Sequence, residues 1–312
     1  MITKTDVDAA VARISGRVRT TPLLTVEPGV FGPGVVLKCE YTQHTGSFKT
    51  RGAFNRILAA TERGELTDSG VVAASGGNAG LAVAYAAGRL GIPAAVFVPE
   101  TAPRVKVDKL RALGAAVHQV GAEFAVANAA AIEHAEMPGA LLCHAYDQPE
   151  IVAGQGSLAV ELLDQTAGAV DTVLVSVGGG GLMGGIAAGL DGRAKVVAVE
   201  PETIPTLHTA LSKGEPVDIA VSGVAADSLG ARRIGEHAFA LATGHGVASV
   251  LVDDESVIAA RALLWDKLRI VVEHGTAAAL AALLTGVYRP AEGERVAVIL
   301  CGANTDPSDL VS

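Results

Sequence analysis

The chain has 312 residues, 50% of them hydrophobic and 18% charged, which is enough for a large core and favours two lobes over one small domain. A net charge of -9 without a long basic run argues against nucleic acid as a partner, because such binding needs a cationic footprint. With 37 glycines and 4% aromatic residues the composition fits tight helix-on-sheet packing and not an aromatic-cored sandwich.

The first ten residues carry Lys4, Asp6 and Asp8 and no apolar stretch, so no signal peptide is expected. Short β-branched runs then recur at 35–39, 70–74, 93–98, 116–120, 140–144, 172–177, 195–200, 249–252 and 295–300. Alanine- and leucine-rich segments of helical spacing lie between most of them, at 78–90, 103–113, 149–164 and 256–268. That alternation predicts an α/β fold with mostly parallel sheets covered by helices on both faces. Residues 70–145 read as a compact unit set into a larger lobe of 1–69 and 146–312, with a ligand cleft between. The stretch 172–190 has no charge, but its run of four glycines makes a poor spanning helix. It reads as strand, turn and buried helix, and no membrane association is expected. Cys39, Cys143 and Cys301 form no CxxC pair, which suits a reduced, cytoplasmic protein without a cysteine-built zinc site.

Four segments carry chemistry. In the first, Lys49 follows a Gly46-Ser47 turn with Phe48 beside it. A lone lysine is normally a solvated surface charge, but one near aromatic surface and other cations can have a lowered pKa and act as nucleophile or base. In the second, Ser75-Gly76-Gly77-Asn78 joins a strand to a helix. Serine and asparagine suit simple capping, yet two glycines also let the backbone approach a carboxylate closely. In the third, Gly178-Gly179-Gly180-Gly181 turns from an apolar strand into the helix 182–190, a natural phosphate cradle. The same window matches a dinucleotide fingerprint, Gly179-x-Gly181-x-x-Gly184, with Glu200 at the end of the next strand. Its place past mid-chain argues against a nicotinamide cofactor. In the fourth, Cys301-Gly302-Ala303-Asn304 follows the last strand. A buried cysteine is usually inert packing, but the carboxyl end of a parallel strand points it at a ligand.

Taken together, from Thr21-Pro22-Leu23 to Asn304, these segments resemble the fold-type-II pyridoxal-phosphate enzymes, and most closely their threonine/serine dehydratase (threonine ammonia-lyase) branch. The stretch Gly46-Ser47-Phe48-Lys49-x-Arg51-Gly52-Ala53 is the most specific part. The resemblance implies a two-lobed, tryptophan-synthase-β-like fold and a set of roles. Lys49 would hold pyridoxal 5'-phosphate as a Schiff base and then serve as base at Cα. Phe48 would lie against the pyridine ring, and Asn78 would bond the ring hydroxyl. Gly178, Gly179, Gly180, Gly181 and Leu182 would wrap the phosphate. Cys301 would face the pyridine nitrogen, and Glu273 would line the cofactor edge. Ser75, also a catalytic candidate, would receive the substrate carboxylate with Gly76, Asn78 and Ala79. A thiol is too weak an acid to keep the pyridine nitrogen protonated, which favours loss of a β-leaving group over transamination.

Some positions depart from the family pattern. Gly76 stands where racemase relatives carry a second serine base, which disfavours racemisation. Ala79 replaces a usual histidine and could widen the pocket. His274 replaces a proline after Glu273, which leaves an exposed helix-start glutamate as the other reading of that residue. Asp227 follows Ala226 as in the family's metal site, but without a nearby upstream carboxylate, so it is a weak candidate for a monovalent or divalent cation and a structural role stays open. The chain stops soon after the Cys301 motif, so no regulatory domain is expected. The implied function is β-elimination of water from L-threonine and/or L-serine, giving a 2-oxo acid and ammonia in a homodimeric enzyme. The alternative is another pyridoxal-phosphate-dependent elimination or racemisation of a hydroxy amino acid, such as 3-hydroxyaspartate or serine.

Overall fold

A computed structural model describes residues 1–310. Its strands are β1 (Leu23–Thr25), β2 (Val35–Lys38), β3 (Val71–Ala74), β4 (Ala94–Val98), β5 (Ala116–Gln119), β6 (Leu141–Leu142), β7 (Thr172–Ser176), β8 (Lys195–Pro201), β9 (Ala248–Val252) and β10 (Val296–Ile299). They form a six-stranded sheet of order β1-β2-β10-β7-β8-β9 and a four-stranded sheet of order β5-β4-β3-β6. All pairings are parallel except β1 with β2. Each of the nine expected strands is present. The unexpected one, β1, is a three-residue edge strand too short to show a period. Every residue of β7 and β10 is buried, because helices cover both faces of the large sheet; that is why both read as unbroken apolar runs.

One face of the large sheet packs on the helices Asp254–Leu268 and His274–Leu284, the other on Pro149–Gln165 and Gly181–Leu190. The small sheet has its own core, which includes Ala53, Phe54, Ile57 and Ala60 from the helix Lys49–Glu62. That helix therefore shares a core with the small sheet, although it precedes residue 70, and its other side packs on Pro149–Gln165 of the large-sheet layer. Local signals mark the helix ends. Asn78–Leu90 stops at Gly91 in the left-handed region (φ 72°), and Pro149 opens its helix at a position where no N–H is needed. Three helices come unusually close at 154–156. A Cβ on Gly154 would stand 2.7 Å from Arg51 O, and one on Gly156 would stand 2.6 Å from Gly185 O. Among the described residues no helix is long and apolar enough to cross a membrane.

Candidate active site

The carboxyl ends of β3, β7 and β10 open on one crevice, and the segment 44–48 is laced to it. Ser47 pairs with Gly302 in an isolated antiparallel bridge, Phe48 N donates to Cys301 O (3.0 Å), and Ala303 N donates to Gly46 O (2.9 Å). The turn before them holds Thr45 at φ 63° and Gly46 at φ 76°. A β-branched residue in the left-handed region is strained, and such strain persists where surrounding contacts over-determine it.

Lys49 is thus fixed in register with Cys301. Its Nζ donates to Ala145 O (2.7 Å) and lies 4.8 Å from the centroid of the Phe48 ring. Burial lowers its pKa to about 8, against the opposing pull of Cys301 and Glu273. Two residues on, Arg51 anchors the first turn of the same helix. It is 1% exposed and grips Glu40 through Nε (2.6 Å) and Nη2 (2.9 Å), and Glu161 through Nη2 (2.9 Å). Lys38 completes the cluster by pairing with Glu161.

Across the crevice, the Cys301 thiol is buried and lies 3.2 Å from the Thr276 hydroxyl. Burial pushes its pKa up to about 12, so it stays neutral in ordinary buffers. Asn78 Nδ2 donates to both oxygens of Glu273 (2.9 and 3.1 Å), and Asn78 Oδ1 accepts from Asn304 Nδ2 (2.6 Å). Asn304 also donates its backbone N–H to Glu273 Oε1 (3.2 Å) and its amide to Thr45 O (2.7 Å). Glu273 stands just before the helix His274–Leu284, but it is 5% exposed and networked; the reading of it as an exposed helix-start glutamate is corrected. Burial pushes its carboxyl pKa up, which the Asn78 bond offsets in part.

Ser75 Oγ accepts from Gly77 N (3.2 Å), and the helix Asn78–Leu90 starts with no side-chain cap, leaving its first N–H groups towards Ser75–Ala79. A Cβ on Gly76 would meet only Val98, at 3.5 Å. The helix Gly181–Leu190 also starts without a side-chain cap, and Gly180 sits at φ 84°. A Cβ on Gly179 would collide with the Tyr146 ring at 2.3 Å, and one on Gly181 with Tyr146 O at 2.6 Å. The glycines are therefore required by close packing of this turn against Tyr146 and, at Gly180, against Ala238 and Ile234 (2.6 Å), which leaves a bare backbone cradle at the helix start; buried Leu182 follows it. Tyr146 ties the cradle to the lysine, since the preceding carbonyl, Ala145 O, holds Lys49.

The structure joins Asn78 to Glu273 and Asn304 by hydrogen bonds, sets Lys49 beside Phe48 and within the electrostatic reach of Cys301 and Glu273, and links the glycine turn to Lys49 through Tyr146 and Ala145; Ser75, Gly76 and Ala79 stand beside Asn78 at the end of β3. Asp227 lies exposed on the short helix Ala226–Leu229, and among the described residues no three or more of His, Cys, Asp and Glu gather to hold a metal ion. Glu200, the acid of the dinucleotide fingerprint, is fully buried and accepts from Leu207 N (2.6 Å) and His208 N (2.8 Å). It caps the helix Thr206–Lys213 and has no free oxygen edge for a ribose. Sequence reasoning gave Thr276 and Asn304 no role, because neither hydroxyl nor amide stands out until 273–276 and 301–304 are seen side by side.

A half-buried primary amine with its pKa lowered to about 8, a glycine cradle at a helix N-terminus and a neutral thiol are what a phosphorylated aldehyde cofactor needs. The donor set fits pyridoxal phosphate. Comparison with known proteins agrees: residues 14–302 match the family "Pyridoxal-phosphate dependent enzyme". The chain belongs to that family, with the fold-type-II architecture. It is 35% identical to the L-threonine ammonia-lyase of Geobacter sulfurreducens over 98% of this chain and 76% of that protein. It is 38% identical to the phenylserine dehydratase of Ralstonia pickettii over 95% of this chain and 91% of that protein. Maize serine racemase superposes with a TM-score of 0.92 at 28% identity, over 99% of this chain and 95% of that one. The cofactor is pyridoxal phosphate, and the enzyme is a lyase.

Proposed function

We propose that the enzyme removes water from L-threonine and/or L-serine by β-elimination and releases a 2-oxo acid and ammonia. The observation that carries this reading is the pairing of a near-neutral amine at Lys49 with a thiol at Cys301 that stays uncharged. Pyridoxal phosphate, when bound, supplies the electron sink that makes the substrate Cα proton acidic. Lys49 would bind the cofactor and move that proton. Cys301, steadied by Thr276, would offer the pyridine nitrogen a neutral partner, and Phe48 would flank the ring. Asn78, held by Glu273 and Asn304, would meet the ring hydroxyl. Gly178, Gly179, Gly180, Gly181 and Leu182 would receive the phosphate. Ser75, Gly76, Asn78 and Ala79 would receive the substrate carboxylate at an uncapped helix start. Gly76 offers no proton carrier on the opposite face, so elimination is favoured over racemisation.

The reading includes a lobe of 70–145 set into a lobe of 1–69 and 146–312, supported by the two separate sheets, with the helix Lys49–Glu62 packed at their junction. A cytoplasmic homodimer is part of it by family likeness alone.

The test is 2-oxo acid release from L-serine, L-threonine, their D-forms, 3-hydroxyaspartate and phenylserine. Oxo acid from L-threonine or L-serine, faster than from the others, is the expected result. Faster release from another member of the panel, or interconversion of L- and D-serine without release, would replace the reading.

Two further outcomes follow from the site's electrostatics. The cofactor-free enzyme should capture pyridoxal phosphate at a rate that rises about tenfold per pH unit and levels off near the Lys49 pKa of about 8, because only the uncharged amine attacks. Stopped-flow absorbance reads this, and a rate still climbing at pH 10 would contradict the lowered pKa. Cys301→Ser exchanges one neutral partner for another and should keep kcat within about tenfold. A far larger loss would show that the thiol does something serine cannot.

A further inference from the structure

We infer that His144 is a positioning residue for Lys49: its Nδ1 gathers the backbone N–H groups of Tyr146 and Asp147 and so fixes the turn whose carbonyl, Ala145 O, holds the amine. The inference rests on reading Lys49 as the lysine that binds the cofactor. Residues 143–148 run without helix or strand between β6 and the helix Pro149–Gln165. Among the described residues the N–H groups of Tyr146 and Asp147 make no bond to a backbone carbonyl. They donate instead to one ring nitrogen, His144 Nδ1, at 3.2 and 2.9 Å. The backbone N–H of His144 donates to Gln148 Oε1 (2.9 Å), and Gln148 Nε2 donates to Leu142 O (3.1 Å), which pins the start of the turn to the end of the strand.

Three parts of the site hang on this turn. Ala145 O accepts from Lys49 Nζ at 2.7 Å. The Tyr146 ring packs against the glycine turn at Gly179, and its hydroxyl donates to Arg233 O (3.2 Å). The Asp147 carboxylate accepts from Glu236 N (3.0 Å) and His237 N (3.1 Å), at the start of the helix Glu236–Gly244. Asparagine and serine are the usual residues that gather N–H groups just ahead of them in the chain. Histidine does so only through an unprotonated nitrogen, so the ring is neutral with its proton on Nε2. Its edge-on neighbour, the Tyr146 ring at 4.7 Å, carries no charge to change that. The charged groups that act on the ring are Asp147, on the same segment, which favours the charged form, and Lys49, on the helix Lys49–Glu62, which disfavours it. Burial is the largest influence and, with Lys49, holds the ring's pKa below the usual histidine value. Protonation in acid would turn the acceptor into a donor, and the turn would lose both N–H contacts at once.

The test separates a positioning residue from a packing residue. Holoenzyme is stripped of cofactor, and the wild type is compared with His144→Asn, whose Oδ1 can accept the same N–H groups, and with His144→Leu, which offers no acceptor. Capture of pyridoxal phosphate at pH 8, followed by stopped-flow absorbance, is expected to stay within about threefold in His144→Asn and to slow by about 10–100-fold in His144→Leu, the order of loss from a misplaced reacting group. Below the ring's pKa the wild-type rate should fall more steeply than tenfold per pH unit, because His144 and Lys49 must then both be uncharged. His144→Asn should keep the tenfold slope. The nitrogen-15 spectrum of the cofactor-free wild type, with the His144 signals assigned by their loss in His144→Asn, should show an unprotonated Nδ1 and a protonated Nε2. Should His144→Leu fail to fold, the slopes and the spectrum decide alone. A proton on Nδ1, a His144→Leu protein that captures the cofactor as fast as the wild type, or equal slopes in the wild type and His144→Asn would each overturn the inference and leave His144 a packing residue. Capture at an unchanged rate by Lys49→Ala would instead overturn the reading of Lys49, and the inference with it, even with the tautomer as expected.

Discussion

Lys49→Ala is expected to give a folded protein that lacks the violet absorbance of lysine-bound cofactor and has lost at least about 10³-fold in turnover. Two functions disappear together, covalent attachment of the cofactor and movement of the Cα proton, and the second alone is commonly worth 10²–10⁴-fold. The fold should survive, because the lysine amine makes one hydrogen bond, to Ala145 O, and the helix it opens is anchored elsewhere by Arg51. Added methylamine should restore part of the rate by replacing the missing base, which a role limited to packing would not allow. A variant that keeps both the violet band and the turnover would remove Lys49 from its place in the account.

The second large effect is on stability. Arg51→Met should destabilise the protein by about 3–5 kcal/mol, the usual result of breaking a buried ion pair from one side. Glu40 has no exposed surface, and Arg51 supplies two of its hydrogen bonds; Thr21 Oγ1 gives it another at 2.7 Å. Without the guanidinium a buried carboxylate is left with a hydroxyl as its remaining support. Glu161 suffers less, since Lys38 stays beside it. Arg51→Lys should recover only a fraction, because an ammonium cannot present the planar fork that spans both Glu40 oxygens. Adding Glu40→Gln to Arg51→Met should also recover part of the loss by removing the uncompensated charge. Thermal unfolding of the four proteins reads this. An Arg51→Met protein as stable as the wild type would mean that the cluster contributes nothing to holding the Lys49 helix.

Much of the architecture was legible because parallel strands buried on both faces carry an unmistakable apolar run, as in 172–177 and 295–300. The strand β1 was not, since three residues of antiparallel edge have no period to read. The grouping of the Lys49 helix with the small sheet was also hidden. Its apolar residues show that it has a buried face, and only the core that Phe54 and Ile57 share with Val71 and Leu81 ties that face to the small sheet.

In the site, the Lys49, Cys301 and glycine segments announce themselves through local order along the chain. The residues that steady them do not. Thr276 meets Cys301, and Asn304 meets Asn78, across long stretches of sequence, and a threonine or asparagine has no charge to draw notice. Gln155 was visible as a glutamine between two glycines, but its side chain's lack of a hydrogen-bond partner among the described residues exists only in three dimensions. Glu200 shows the opposite failure. The fingerprint around it is locally sound, yet both its oxygens are spent on a neighbouring helix start.

The most direct test of the account is to reduce the purified holoenzyme with borohydride, digest it and find the peptide that retains the cofactor. The account predicts a single pyridoxyl-modified peptide, carrying the label on Lys49. A label on Lys38, Lys195 or any other lysine, or on none, would contradict it.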